Sequence, residues 1–361
     1  MKKTILCALF VVAMIFVLVA CGGGDPPVTP PTPPPGQDAP AQDAPGQDAP
    51  AQDAPAQQQP PPDAAAVQDM GPIVLLALNP VHDWHAAVYF FASEMAAELD
   101  LQNKMGFHYL TSVDVADQSE QIDIALAMNP SLIILLPHNA EVTPAADRIQ
   151  AAGVPWVLFD RWVYTEGWSA YLTGDNPEIG RRIGRRVFEG IGGSGRVLVQ
   201  RAPETGAIDA HRWAGIQEAM AEFPDVEIIT FTTTTFTILD AMEAVEAALV
   251  ANPRGTLDAI ISINDVSSIG VLQAVEEAGR LDDIQMISGA GGWQVWFHAI
   301  NDHRDEIYLF TYTYHPSMVM QAMQYAYNVV MGLPFPRETI IPPNLVDRDN
   351  VFDWFNDDTP Y

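Results

Sequence analysis

The chain has 361 residues, a formal net charge of -29 and only two cysteines, Cys7 and Cys21. So much excess carboxylate argues against a nucleic-acid partner, because phosphate binding draws on clustered Lys and Arg; the acidity serves solubility instead. With no cysteine after residue 21, the bulk of the chain has no material for a disulfide or a thiolate metal site, and its length suits two domains or one bilobed unit.

The first element reads as a leader. Lys2 and Lys3 precede an apolar run over residues 5–20, too short for a membrane-spanning helix, and small residues flank the cysteine in Leu18-Val19-Ala20-Cys21-Gly22. Residues 1–20 are therefore expected to be a signal peptide. The motif resembles the bacterial lipobox, which implies cleavage before Cys21, lipidation of its thiol, and an exported protein held at the membrane. Residues 21–71 read as a disordered tether of Pro, Ala, Gln and Asp, with Gln-Asp-Ala-Pro recurring between Gln37 and Pro55. Proline-rich sequence of this kind buries no core and extends into solvent.

From residue 72 onward, short apolar runs alternate with amphipathic stretches, the pattern of strand-helix units on parallel sheets. The spacing predicts strands at 73–78, 107–111, 132–136, 156–159 and 170–173, then at 196–200, 227–231, 259–263, 285–288 and 307–313. Predicted helices cover 86–99, 119–127, 145–152, 177–190, 210–223, 240–251 and 267–278. Two series of strands give an α/β chain with two doubly wound, Rossmann-like lobes. Such lobes bind ligands at the carboxyl ends of their strands, here between the lobes.

Six motifs stand in order along this part. The most specific is Gly153-Val154-Pro155-Trp156-Val157-Leu158-Phe159-Asp160-Arg161, a strand that ends in an Asp-Arg pair. Gly174-Asp175-Asn176 with Gly180, Arg212 within Ala210-His211-Arg212-Trp213-Ala214-Gly215, Ile263-Asn264-Asp265, the turn from Gly289 to Gly292, and Tyr314-His315-Pro316 follow. Over residues 73 to about 335 the chain thereby resembles the periplasmic sugar-binding proteins of the ribose-binding type. The resemblance implies the type I periplasmic binding protein fold, with an N-terminal lobe of residues 72–174 plus about 315–340, a C-terminal lobe of 175–314 plus about 341–361, and a multi-strand hinge. It also implies a monomeric substrate-binding protein of an ABC importer, without a cofactor. Such a protein closes on a sugar, polyol or nucleoside-like ligand and delivers it to a membrane permease.

On that resemblance, Asp160 and Arg161 contact the ligand from the first lobe and Arg212, Phe236 and Asn264 from the second. Trp84 and His85 take the place of stacking aromatics after the first strand, and Tyr314 sits at a crossover. His138, Gly291 and Trp293 are further candidates, and Trp162 and Trp168 are also loop-like. The chemistry suits a sugar, which offers vicinal hydroxyls and an apolar ring face: a carboxylate accepts, guanidinium forks donate, an amide does both, and flat rings stack. Pairing with Asp209 is the alternative for Arg212, and Asp265 is expected to cap the helix that follows it. Gly291 stands where the family usually has an Asp, Tyr314 near its usual Gln, and Leu136-Pro137-His138-Asn139 where an Asn follows the third strand. These departures argue against ribose itself and toward another pentose, hexose, sugar derivative or nucleoside-like ligand.

No catalytic or metal site is expected. His82-Asp83-Trp84-His85 offers two potential ligands where zinc normally needs three or four, and neither His-Glu-x-x-His nor Gly-x-Ser-x-Gly occurs. The turn from Gly190 to Gly195 has dinucleotide-loop spacing, but a helix precedes it and a strand follows, the reverse of what such a loop requires. A sensor working with a membrane receptor or kinase is the alternative function on the same fold, distinguished by its genomic neighbours. A repressor is excluded by the export signal and by the lack of a basic helix-turn-helix.

Overall fold

In the computed structural model, residues 70–356 and 358–361 are described, so the leader, Cys21 and the tether through residue 69 lie outside the described residues. Two six-stranded sheets carry the fold. The first runs in the order β2-β1-β3-β4-β5-β11, where β1 is Ile73–Leu78, β2 Phe107–Ser112, β3 Leu132–Leu135, β4 Trp156–Phe159, β5 Ala170–Gly174 and β11 Glu338–Ile341. The second repeats the order as β7-β6-β8-β9-β10-β12, with β6 Ser194–Arg201, β7 Asp225–Thr232, β8 Ala259–Ile261, β9 Met286–Gly291, β10 Tyr308–Thr313 and β12 Leu345–Asp347. Every pairing is parallel except that of β10 with β12. Strands such as Ile-Val-Leu-Leu-Ala-Leu in β1 are buried along their whole length, as a parallel sheet covered by helices on both faces demands.

Three crossovers join the two sheets, at residues 174–176, 313–318 and 341–345. They are tied side by side: the Asp175 amide donates to the Ile341 carbonyl at 3.1 Å, and the Thr313 amide to the Asn344 carbonyl at 2.9 Å. In both sheets the strand order reverses beside the first strand, which opens a crevice at the carboxyl ends.

Helices begin earlier than the sequence pattern predicts. α1 (Asp83–Glu98) starts at Asp83 because the His82 side chain accepts from the Trp84 amide, and histidine is an unusual cap. α3 (Val115–Ala127), which follows the one-turn α2 (Leu101–Lys104), starts behind Asp114, whose carboxylate accepts from the Asp117 amide. Besides the one-turn α2, two helices have no counterpart in the expectation, α9 (Gln294–Asp302) and α10 (Met318–Val330); neither carries a side-chain cap at its start. The remaining helices are α4 (Thr143–Ala151), α5 (Asn176–Gly190), α6 (Ala207–Met220), α7 (Ile238–Ala251) and α8 (Asp265–Glu277). The glycine turn after α5 is the expected helix-to-strand connection, with Gly192 and Gly193 at positive φ. Among the described residues no helix is long and apolar enough to cross a membrane.

One helix pair positions the site. α5 and α6 cross with their backbones in contact: a Cβ on Gly180 would collide with the Arg212 carbonyl oxygen, and one on Gly215 with the Pro177 carbonyl oxygen. This approach sets Arg212 beside Asn176, so Nε of Arg212 donates to Oδ1 of Asn176 at 2.8 Å. Because backbone cannot move aside as a flexible side chain does, Gly180→Ala is expected to destabilise the protein by about 3 kcal/mol in urea denaturation. A loss well under ~1 kcal/mol would show that the helices can part freely.

Candidate functional site

The strand ends converge on one cleft. Trp84 and His85 lie in the first turn of α1, just beyond β1; Asp160 and Arg161 follow β4; Phe236 precedes α7; Asn264 follows β8; Gly291 ends β9; and Tyr314 follows β10. All of these, with Arg212 of α6, line a single cavity of about 470 Å³ of empty space, its open mouth included. His82, Ile208, Ala290 and Tyr361 complete the lining.

Asp160 is the first anchor. It adopts φ 69°, a left-handed conformation that is uncommon outside glycine and that Asp and Asn tolerate better than most residues. Here the Asp160 amide donates to the Leu172 carbonyl at 2.8 Å, and its own carbonyl accepts from the Thr173 hydroxyl at 2.7 Å. The turn thus aims the carboxylate into the cleft, where Oδ1 accepts a short hydrogen bond from the Tyr314 hydroxyl and Oδ2 lies 3.5 Å from Nε of Arg161. Asp160 is only 5 % exposed, and burial raises its pKa against the opposing pull of Arg161, the Tyr314 bond and Arg212.

Tyr314 is the junction. Its amide donates to the Gly291 carbonyl at 2.6 Å, and its carbonyl accepts from Nε1 of Trp84 at 2.9 Å. Asn176 donates to its hydroxyl at 3.3 Å, and the Arg212 guanidinium lies 5.1 Å from its ring centroid. Gly174 must be glycine here, since a Cβ would enter the Tyr314 ring. Burial and the Asp160 charge push the phenol far above its ordinary pKa, so it donates as a neutral group.

Arg212 is 3 % exposed and is held by Asn176 and by the Ile263 carbonyl. Its sequence neighbour Asp209 is engaged elsewhere, pairing with Arg201 at 2.6 Å, so the alternative of an Asp209 partner does not occur. Asn264 caps α8: its Oδ1 accepts from the Val266 amide at 2.9 Å, which leaves the amide NH2 for the cavity it lines. This corrects the expectation that Asp265 is the cap. Asp265 instead turns the other way and accepts from the Gly292 and Trp293 amides and the Thr311 hydroxyl at 2.5, 2.9 and 2.6 Å, bracing the glycine turn from behind.

His138 and Trp293 are not on the cleft. The His138 carbonyl accepts from Nη1 of Arg161, so it orients that guanidinium from behind, and the Trp293 ring packs 6.4 Å from that of Tyr361. Trp162 lines an adjoining cavity that shares Asp160 and Arg161, and Trp168 packs 5.9 Å from Tyr171 in the core. Four lining residues escape sequence reasoning, two of them, His82 and Tyr361, polar. Nδ1 of His82 accepts from the Trp84 amide at 3.1 Å, and burial lowers the pKa of the ring, so the neutral tautomer carries its proton on Nε2, which is buried without a partner. A helix-capping histidine next to an aromatic was the available signal. Tyr361 gives none, because only tertiary packing brings it in.

The periplasmic binding protein domain model matches residues 73–334. The chain belongs to that family. As a periplasmic binding protein it has the two-lobed type I fold, with parallel-dominated sheets. A solved structure of an ABC transporter solute binding protein from Bacillus halodurans, with bound myo-inositol, superposes with a TM-score of 0.72 over 80 % of this chain and 98 % of that one, at 18 % identity. A D-apiose import binding protein of Actinobacillus succinogenes is 26 % identical over 216 residues, 58 % of this chain and 68 % of its own length. A xylitol-binding protein of Mycolicibacterium smegmatis is 23 % identical over 168 residues, 46 % of this chain; the match spans 48 % of that relative.

Burial raises the Asp265 carboxyl to about 6 despite its three hydrogen bonds. A folded pKa above the unfolded value means that protonation favours the folded state, so this group's contribution grows as pH falls from about 7 to about 4 and is lost as pH rises through about 6. Relative to Asp265→Asn, the wild-type periplasmic binding protein is expected to gain up to roughly 3 kcal/mol of unfolding free energy over that interval. Denaturation at several pH values checks it, and a difference that shrinks on acidification contradicts it.

Proposed function

We propose that this chain is the exported, lipid-anchored substrate-binding component of an ABC importer, and that it takes a sugar or polyol in the cleft between its lobes and delivers it to a membrane permease. The observation that carries the reading is the composition of the cleft. One carboxylate, two guanidinium groups, an amide and neutral histidines face flat rings of Trp84, Phe236 and Tyr314, the set that reads hydroxyls over an apolar ring face. The names of the relatives agree, since xylitol and D-apiose are both polyhydroxy compounds. The leader of residues 1–20 and the Leu18-Val19-Ala20-Cys21 motif support export and anchoring, and the Pro-Ala tether supports reach from the membrane.

In this reading the ligand bridges Asp160 and Arg161 of one lobe and Arg212, Phe236 and Asn264 of the other, and so shifts the population toward the closed arrangement that a permease recognises. Binding is the whole task, with no bond made or broken.

A thermal-shift screen over pentoses, hexoses, polyols and nucleosides is the first test. A true ligand at about 100 times its Kd stabilises the protein by ~2.7 kcal/mol, and no shift anywhere in the panel would sink the sugar reading. Arg212→Ala is expected to weaken the best ligand at least tenfold, about 1.4 kcal/mol, by calorimetry. Cys21→Ser expressed in a host with lipoprotein processing should move the protein from the membrane to the soluble fraction; retention at the membrane would contradict the anchor.

A further inference from the structure

Tyr361, the last residue of the sequence, is fully buried and lines the cleft, yet its phenolic oxygen has no hydrogen-bond partner in the protein. Packing accounts for the ring. It lies 5.6 Å from the His315 ring and 6.4 Å from Trp293, its carbonyl accepts from the Thr359 hydroxyl at 2.9 Å, and the segment that delivers it is pinned where Trp354 meets Phe297 at 6.5 Å. A phenylalanine would satisfy all of these contacts. The hydroxyl is what packing leaves unexplained, since desolvating a hydroxyl without giving it a partner is unfavourable.

Gly291 shows where that hydroxyl sits. A Cβ on residue 291 would stand 2.6 Å from Oη of Tyr361 and 2.9 Å from Oδ2 of Asp265, so a side chain in this turn and the phenol compete for one corner of the cleft. The chain gives the corner to the phenol. Asp265 does not use it up, because its oxygens already accept from the Gly292 and Trp293 amides and the Thr311 hydroxyl. Burial, reinforced by the Asp265 charge, holds the phenol well above its ordinary pKa, so Oη is a neutral group that both donates and accepts.

We propose that Tyr361 is a ligand-contacting residue that sets specificity in this corner, its Oη hydrogen-bonding one oxygen of the bound sugar or polyol. The proposal rests on the reading of the cleft as a sugar site and deepens it. A carboxylate in the same corner would only accept, and would grip two hydroxyls; a phenol engages one oxygen and can donate to a ring or ether oxygen as readily as it accepts from a hydroxyl. The corner therefore admits ligands that present a ring oxygen or an ether there, which a carboxylate would repel.

Tyr361→Phe removes Oη and nothing else. Two measurements on this variant decide the matter: melting without ligand, and affinity for the panel sugar that most stabilises the wild type. The unliganded variant is expected to be at least as stable as the wild type, and its affinity to fall about tenfold or more. A clearly less stable unliganded variant would mean that the hydroxyl bonds within the protein, and would overturn the proposal. Unchanged affinity in a folded variant would also overturn it while leaving the sugar reading intact. Failure of the wild type to bind any sugar or polyol removes both.

Discussion

The hydrogen bond from Tyr314 to Asp160 is the contact on which the cleft depends. It joins a carboxylate at the end of β4, in the first sheet, to a phenol at the crossover leaving β10, in the second. Each partner is buried for other reasons as well: Asp160 by a left-handed turn locked through Leu172 and Thr173, Tyr314 by Gly174, Trp84 and the Gly291 carbonyl. An ionised carboxylate so enclosed is stable only where it is compensated: the phenol hydrogen-bonds one oxygen, and the charges of Arg161 and the more distant Arg212 oppose the cost of burial. The same ring receives the Arg212 guanidinium on its face, an arrangement worth up to about 2 kcal/mol when desolvated. One aromatic side chain thereby sets the spacing between the acidic and basic halves of the site.

The backbone gives that spacing its rigidity. Three crossovers tied by backbone hydrogen bonds join the lobes, and Tyr314 grows out of one of them, so it sits at their junction. Gly180 and Gly215 press α5 on α6 and so fix the depth of Arg212. Behind the second lobe, Asp265 holds the Gly292 turn in place as Leu172 and Thr173 hold the Asp160 turn in the first. The residues that follow β4 and β9 are both left-handed, Asp160 at φ 69° and Gly292 at φ 106°, the repeated strand order producing a repeated turn.

Much of this was legible in the sequence, and for a physical reason. Fully buried parallel strands are continuous apolar runs, so their ends can be read to within a residue or two except at β9, which runs three residues further, through Gly289-Ala290-Gly291, than its apolar run suggests; a polar pair such as Asp160-Arg161 at such an end has few places to go but the crevice. Trp84, His85, Asp160, Arg161, Arg212, Phe236, Asn264 and Tyr314 accordingly meet around one cavity. What stayed hidden falls into two kinds. Helix starts rest on side-chain caps: the His82 cap looked like no cap, Asn264 and Asp265 exchanged roles across one residue, and α9 and α10, which lack caps, gave no start signal. Purely tertiary placements were hidden too. Tyr361 reaches the cleft from a segment beyond both sheets, while His138 and Trp293, equally plausible from their loops, support the lining from behind. The short edge strands, the half-exposed β11 and the three-residue β12, carried too weak a pattern to be seen.

Acceptors and donors in the cleft are unequal. One oxygen of Asp160 is occupied by Tyr314, whereas Nε2 of His82, Nε of Arg161 and Oη of Tyr361 are buried and make no hydrogen bond within the protein. A ligand rich in oxygen on one face and apolar on another settles that imbalance. The most direct test is a crystal structure of the protein with the panel compound that stabilises it most. That compound is expected between Trp84 and Phe236, with oxygens on Asp160, Arg161 and Arg212; a ligand seated elsewhere, or touching one lobe alone, would contradict a site that bridges the lobes.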